Sequence, residues 1–126
     1  MKLLVSLCSL FLLLFTTSFP VSAASPPNIS LSVSGNRHYI YVAFTGLTTV
    51  SKVNYALTYD TAASVTKGFE GGFFTKRRTT RSTRRQILGT CSSGKCVYDV
   101  SPKNFILQAT FTLRTGGTVQ ISRTLP

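Results

Sequence analysis

The chain has 126 residues, of which 14 are lysine or arginine and only three are aspartate or glutamate, so its formal net charge is +11. We expect a chain of this length to form one domain with one hydrophobic core and no more. Three cysteines are too few for a scaffold built on disulfides, and a single histidine beside three acids leaves little for acid–base catalysis.

Residues 1–24 have the pattern of a cleavable secretory signal peptide. A charged start is followed by an apolar stretch to Phe15 and by the small-residue site Val21-Ser22-Ala23. An uncleaved membrane anchor is the alternative, but a span needs about 20 apolar residues and this run breaks at Pro20. We predict a secreted or cell-surface domain of residues 25–126, with no transmembrane span after signal cleavage. Its thirteen basic residues and three acids give a net charge of +10.

Alternating apolar residues predict strands through the first half of this domain. Residues 29–34, 37–45 and 53–60 each alternate between apolar and other side chains, which is the pattern of a half-buried strand. Residues 61–68 are loop-like. Residues 69–75 are ambiguous, because a pair of adjacent glycines inside a strand weakens it.

The second half of the domain begins with a short cysteine-containing segment. Cys91 and Cys96 flank a Ser-Ser-Gly turn, and in an exported protein two nearby cysteines predict a disulfide. A redox-active pair is the alternative, although the spacing differs from Cys-x-x-Cys. Alternation then predicts strands over residues 105–113 and 119–125, separated by a turn that contains Gly116-Gly117. No stretch of ten or more residues within residues 25–126 shows helical spacing.

These strands predict an all-β domain. About seven short strands in about a hundred residues favour a single antiparallel β-sandwich, and a small β-barrel is the alternative. The number and spacing of the predicted strands resemble those of fibronectin type III and immunoglobulin-like modules. The tryptophan and the distant cysteine pair of antibody domains are absent from the sequence.

Two segments carry a more specific resemblance. Residues 89–98, with the sequence GTCSSGKCVY, and residues 55–60, with the sequence YALTYD, are similar to segments of small secreted bacterial proteins of an uncharacterised family. The resemblance implies an exported β-sandwich and does not extend to a function.

The strongest local feature is a basic segment over residues 76–85. It contains no acid, and the planar guanidinium groups of arginine match phosphate oxygens in a two-point fork. The segment is read either as a strand, with Arg77, Arg81 and Arg85 on one face, or as a mobile loop. In both cases an anionic polymer or an anionic cell surface is the expected partner, and nucleic acid would be bound without sequence specificity. The candidate binding residues are Lys76, Arg77, Arg78, Arg81, Arg84 and Arg85.

Two other interpretations of this region stay open. The cations can belong to a solvated loop, or to a charged edge strand that discourages pairing with other chains. Phe73 and Phe74 directly precede the segment and could stack on a ligand or insert into a membrane, but core positions are expected for both.

Catalytic and metal-binding residues are not predicted. His38 is expected at the surface, Asp60, Glu70 and Asp99 are scattered along the chain, and no Gly-x-Ser-x-Gly elbow is present. We therefore expect neither a cofactor nor a metal and favour a non-enzymatic binding or structural module. A structural envelope protein without a specific ligand is the first alternative, and a small secreted hydrolase is the second.

Overall fold

The computed structural model describes Ser18, Pro20 and residues 23–126, so the predicted signal peptide lies almost entirely outside the described residues. The nine strands of the described part are, in chain order, β1 (Asn28–Val33), β2 (Tyr39–Thr45), β3 (Val50–Asp60), β4 (Thr66–Phe74), β5 (Arg81–Ile87), β6 (Gly89–Ser92), β7 (Lys95–Tyr98), β8 (Lys103–Leu113) and β9 (Thr118–Leu125).

Seven of these strands form an antiparallel β-sandwich. One sheet has the order β1-β2-β5 and the other has the order β4-β3-β8-β9. The described strands do not join into one closed sheet, so the predicted sandwich is confirmed over the alternative of a small barrel. The strand count exceeds the expected seven because β6 and β7 form a separate two-stranded ribbon.

The hydrophobic core lies between the two sheets and is built by the alternating residues that the sequence indicated. Successive side chains of a strand point to opposite faces, so every second residue of β2, β3 and β8 reaches the interior. Phe44 at the end of β2 contacts aromatic rings of the opposite sheet, including Phe111 of β8. The buried cluster contains Ile29, Ile40, Val42, Phe44, Leu47, Val50, Val53, Leu57, Tyr59, Leu88, Phe105, Leu107, Ala109 and Phe111.

The region between β3 and β5 differs from the sequence-based prediction. The loop-like interpretation of residues 61–68 is wrong at its end, because β4 starts at Thr66 and runs to Phe74 through both adjacent glycines. Gly71 lies opposite Tyr55 of β3. A Cβ at Gly71 would come within 2.6 Å of the Tyr55 ring, so the ring occupies the space that a side chain would need. The glycine therefore makes room for a neighbour and does not end the strand.

The ribbon β6–β7 carries the predicted disulfide. Cys91 and Cys96 are directly paired across its two strands and are bonded through sulfur. Ser93 and Gly94 both have positive φ, at 49° and 78°, which suits the two-residue turns that connect twisted hairpin strands. The ribbon is joined to the sandwich at its base, where the Leu88 amide donates to the His38 carbonyl.

Helical structure is confined to one 3-10 turn, Leu47–Thr49, within residues 23–126. In this described part of the chain, no helix has both the length and the apolar character needed to cross a bilayer.

Candidate basic edge

The basic segment is divided between a tight turn and a strand, so neither a uniform strand nor a mobile loop describes it. Lys76 and Thr79 close the turn through two hydrogen bonds: the Thr79 amide donates to the Lys76 carbonyl at 2.9 Å, and the Lys76 amide donates to the Thr79 hydroxyl at 3.2 Å. The chain then enters β5 at Arg81. We call the turn and β5 together, residues 76–87, the basic edge.

The turn is fixed at its base by Thr75, which is buried. The Thr75 amide donates to the Ser51 carbonyl, and its hydroxyl donates to the Val50 carbonyl. The Arg114 guanidinium donates to the Thr75 carbonyl at 2.9 Å and to the Thr75 hydroxyl at 3.1 Å. These contacts hold the start of the basic edge against β3 and the β8–β9 turn.

Strand register decides where the arginines of β5 point. Arg81 and Arg85 lie opposite Thr45 and Tyr41 of β2, on the outer face of the three-stranded sheet. Arg84 lies opposite the buried residue Val42 and therefore faces the interior side. The sequence pattern placed Arg81 and Arg85 on one face and Arg84 on the other, as observed. Arg77, expected on the same face as Arg81, lies instead in the turn.

The cations of the basic edge have no acidic partner in the described structure. The single ion pair among residues 23–126 joins Lys67 and Asp99. None of the six basic side chains of residues 76–85 donates a hydrogen bond to another described residue, and all six are exposed. Since these charges are not neutralised within the described chain, they are free to attract an external anion.

The two phenylalanines that precede the turn point in opposite directions. Phe73 packs against the core residue Phe44, with ring centroids 5.3 Å apart, as expected. The core placement of Phe74 is wrong: this side chain is 80% exposed. The difference follows from strand alternation, since the neighbour of an inward residue must face outward. The Lys52 amine lies 5.2 Å from the centroid of the Phe74 ring.

An aromatic cluster lies at the other end of the basic edge, where the ribbon meets the sheet. The Arg85 guanidinium lies 4.9 Å from the centroid of the Tyr39 ring. Tyr39 makes an edge contact with Tyr98 of the ribbon, and Tyr98 stacks on His38 with ring centroids 3.6 Å apart. Sequence reasoning missed this cluster, because its members come from strands that are far apart in the chain. Only the local repetition of tyrosine at 39 and 41 pointed to an aromatic surface.

The residues weighed for catalysis have other partners. His38, which was expected at the surface, is half-buried and stacks on Tyr98. The Asp60 carboxylate accepts hydrogen bonds from Thr66 and Asn104, and these bonds lower its pKa. The hydrolase interpretation stays an untested prediction, with no described contact between His38 and an acid to support it.

The third acid, Asp99, forms a network at the base of the ribbon. Burial opposes its ionisation, but the hydrogen bonds from Lys67 and Tyr59 and the Lys67 charge outweigh burial, so the pKa of Asp99 is lowered. Burial, and then the hydrogen bond to Asp99, raise the pKa of the Tyr59 hydroxyl well above its usual range. This network ties β3 and β4 to the end of the ribbon. Among residues 23–126, no three His, Cys, Asp or Glu side chains are grouped in a way that could hold a metal ion.

Comparisons with protein-family models, with curated proteins and with solved structures found no match to this chain. The likeness to small exported bacterial proteins therefore stays a prediction.

Proposed function

We propose that this chain is a secreted or cell-surface module without enzymatic activity, and that it binds anionic polymers through the basic edge. The observation that carries the proposal is the concentration of six exposed cations on one turn and one edge strand, with no acidic partner in the described part of the chain.

The shape of the basic edge fits a polymer better than a small anion. Arg81 and Arg85 project from the same face of one strand, about 13–14 Å apart at the usual rise per residue. The turn extends this row of charge beyond the end of β5. Arginine forks suit phosphate groups spaced along a chain, and each contact would release counterions, so affinity falls as salt rises.

The exported location and the module type are parts of the same proposal. The Cys91–Cys96 bond supports an oxidising compartment, where such bonds persist. The division of seven strands into sheets of three and four supports a layout like fibronectin type III and immunoglobulin-like modules. The sequence resemblance to small exported bacterial proteins agrees with both.

The proposal is tested by retention of residues 25–126 on a phosphate-rich polyanion column in a salt gradient. The wild-type domain is compared with a five-site variant that keeps Arg84, since this residue also packs on Phe73. We expect the five-site variant to elute at clearly lower salt. The replaced residues, each changed to glutamine, are Lys76, Arg77, Arg78, Arg81 and Arg85.

A matched pair of variants separates a local site from overall charge. Arg77→Gln with Arg78→Gln removes two charges from the turn, and Lys95→Gln with Lys103→Gln removes two exposed charges from other surfaces. For a single-stranded phosphate polymer, loss of two contacts should reduce the slope of log K against log salt by about 1.4. The second pair should leave the slope near that of the wild type. Equal effects of the two pairs would mean that binding depends on overall charge and not on a local site, and would favour a structural envelope protein.

A further inference from the structure

Three cation–aromatic pairs lie along the basic edge and the residues that flank it. The Lys52 amine lies over Phe74 at one end, and the Arg85 guanidinium lies over Tyr39 at the other. Between them, the Arg84 guanidinium lies 4.5 Å from the centroid of Phe73. Phe73 faces the interior, but the two ends of the edge combine positive charge with outward-facing aromatic rings: Phe74 on the outer face of the four-stranded sheet, and Tyr39 on the outer face of the three-stranded sheet.

This combination of aromatic rings and positive charge discriminates among anionic polymers. Phosphate-rich wall polymers, acidic glycans and lipid headgroups carry negative charge without flat rings. Single-stranded nucleic acid carries both, and proteins that bind it combine a cationic track with aromatic side chains on which bases stack. We propose that the ligand of the basic edge is single-stranded nucleic acid, bound without strong sequence preference. This inference rests on the proposed function and narrows it to one class of polymer.

Exposure of the aromatic residues supports stacking at both ends of the edge. Phe74 is 80% exposed and touches only Lys52 among the aromatic and cationic contacts of the structure. At the other end, Tyr41 is half-buried on the outer face directly opposite Arg85 and makes no ring contact with another described aromatic residue. The intervening strand is about 24 Å long, which suits a short stretch of extended nucleotides.

The experiment measures binding of a labelled 15-nucleotide oligothymidylate by fluorescence anisotropy. Binding of inorganic polyphosphate and of anionic phospholipid vesicles is measured directly, by titration calorimetry and by cosedimentation. Phe74→Ser is the test variant, because an exposed ring can be removed without opening the core. Ile106→Ser is the control, since Ile106 is also exposed but lies on the outer face of β8, away from the basic edge. Unfolding midpoints of both variants verify that each is folded.

We expect Phe74→Ser to weaken oligothymidylate binding about fivefold or more, the cost of losing one stacked base, and to leave polyphosphate binding unchanged. Ile106→Ser should change neither. Unchanged oligothymidylate affinity in Phe74→Ser overturns the nucleic-acid inference, and so does a loss of vesicle binding alone, which would identify a lipid surface. If the wild-type domain binds neither polyphosphate nor oligothymidylate, the proposed function itself fails. If it binds polyphosphate but not oligothymidylate, only the nucleic-acid inference fails.

Discussion

The guanidinium group of Arg84 lies 4.5 Å from the centroid of the Phe73 ring, so a residue of one sheet covers an aromatic residue of the other. Arg84 belongs to β5, the edge of the three-stranded sheet, and Phe73 belongs to β4, the edge of the four-stranded sheet. Both side chains face the interior side of their strands. The contact therefore closes the side of the sandwich between these two edges, and Arg84 differs in role from the other cations of the basic edge.

Replacing Arg84 by alanine should lower the free energy of unfolding by about 1 kcal/mol. The variant loses an attraction between the cation and the ring, together with the apolar stem that covers Phe73. Arg77→Ala is the control, because it removes the same charge from an exposed turn residue without such a contact. Urea denaturation of the two variants measures the difference. Equal stability would mean that Arg84 only points toward solvent.

Much of the fold was predictable because apolar residues recur at every second position in β1, β2 and β8. In each of these strands, burial of one face between two sheets imposes a period of two on the sequence. The strand β4 was only partly predicted. Gly71 makes room for the Tyr55 ring, and a Cβ at Gly72 would meet the Asn54 side chain. No local pattern can report side chains that belong to another strand, well over ten residues earlier in the chain.

The candidate site was predictable in its charges but not in its geometry. The absence of acids from residues 76–85 is visible in the sequence, and so is the alternation of Arg81 and Arg85. The exposure of Phe74 depends on which face of β4 is buried, and that required the strand itself to be recognised. The stack of His38 on Tyr98 depends on how the ribbon folds back on β2, which is a tertiary contact.

The Asp99 network should make the domain sensitive to acid. Folding lowers the pKa of Asp99, so the unfolded chain takes up a proton on this group first as the pH falls. The contribution of Asp99 to stability is therefore fully present above about pH 5 and is lost as the pH drops below about 4 toward the folded pKa. Urea denaturation at intervals between pH 7 and pH 2.5 measures this loss.

Asp99→Asn identifies the group responsible. This variant should be less stable than the wild type at pH 7 and should lose less stability on acidification, with a remaining slope from Asp60, whose pKa is lowered in the same direction. Glu70→Gln serves as the control, since the exposed Glu70 carboxylate takes part in none of the side-chain hydrogen bonds or ion pairs among the described residues. If Asp99→Asn and the wild type lose stability in parallel, Asp99 does not contribute to the acid response.

Removing the disulfide should lower the free energy of unfolding of the domain while the sandwich core stays folded. The bond closes a loop between residues only five positions apart, for which the loop-entropy model gives about 2 kcal/mol. The ribbon residues from Cys91 to Val97 are all exposed, so the sandwich does not depend on their burial. A Cys91→Ser, Cys96→Ser double variant should unfold cooperatively at lower urea, with the same dependence on denaturant. Wild-type protein treated with a thiol reductant should match it, and failure of either sample to fold would contradict this account.

The contact between Arg114 and Thr75 should set the rigidity of the turn that starts the basic edge. Arg114→Lys keeps the charge but cannot reach two acceptors with a planar fork, so the Thr75 carbonyl and hydroxyl lose a donor. We expect the free energy of unfolding to fall by about 1–2 kcal/mol, because hydrogen bonds from a charged group are among the stronger ones. Arg77→Lys changes an exposed residue in the same region whose side chain makes no hydrogen bond or ion pair with another described residue, and it should have no measurable effect. Hydrogen exchange of the Thr75 amide adds a local measurement. The exchange rate should increase in Arg114→Lys and stay unchanged in Arg77→Lys. Equal exchange rates in the two variants would show that Thr75 is held by its own hydrogen bonds to β3 alone.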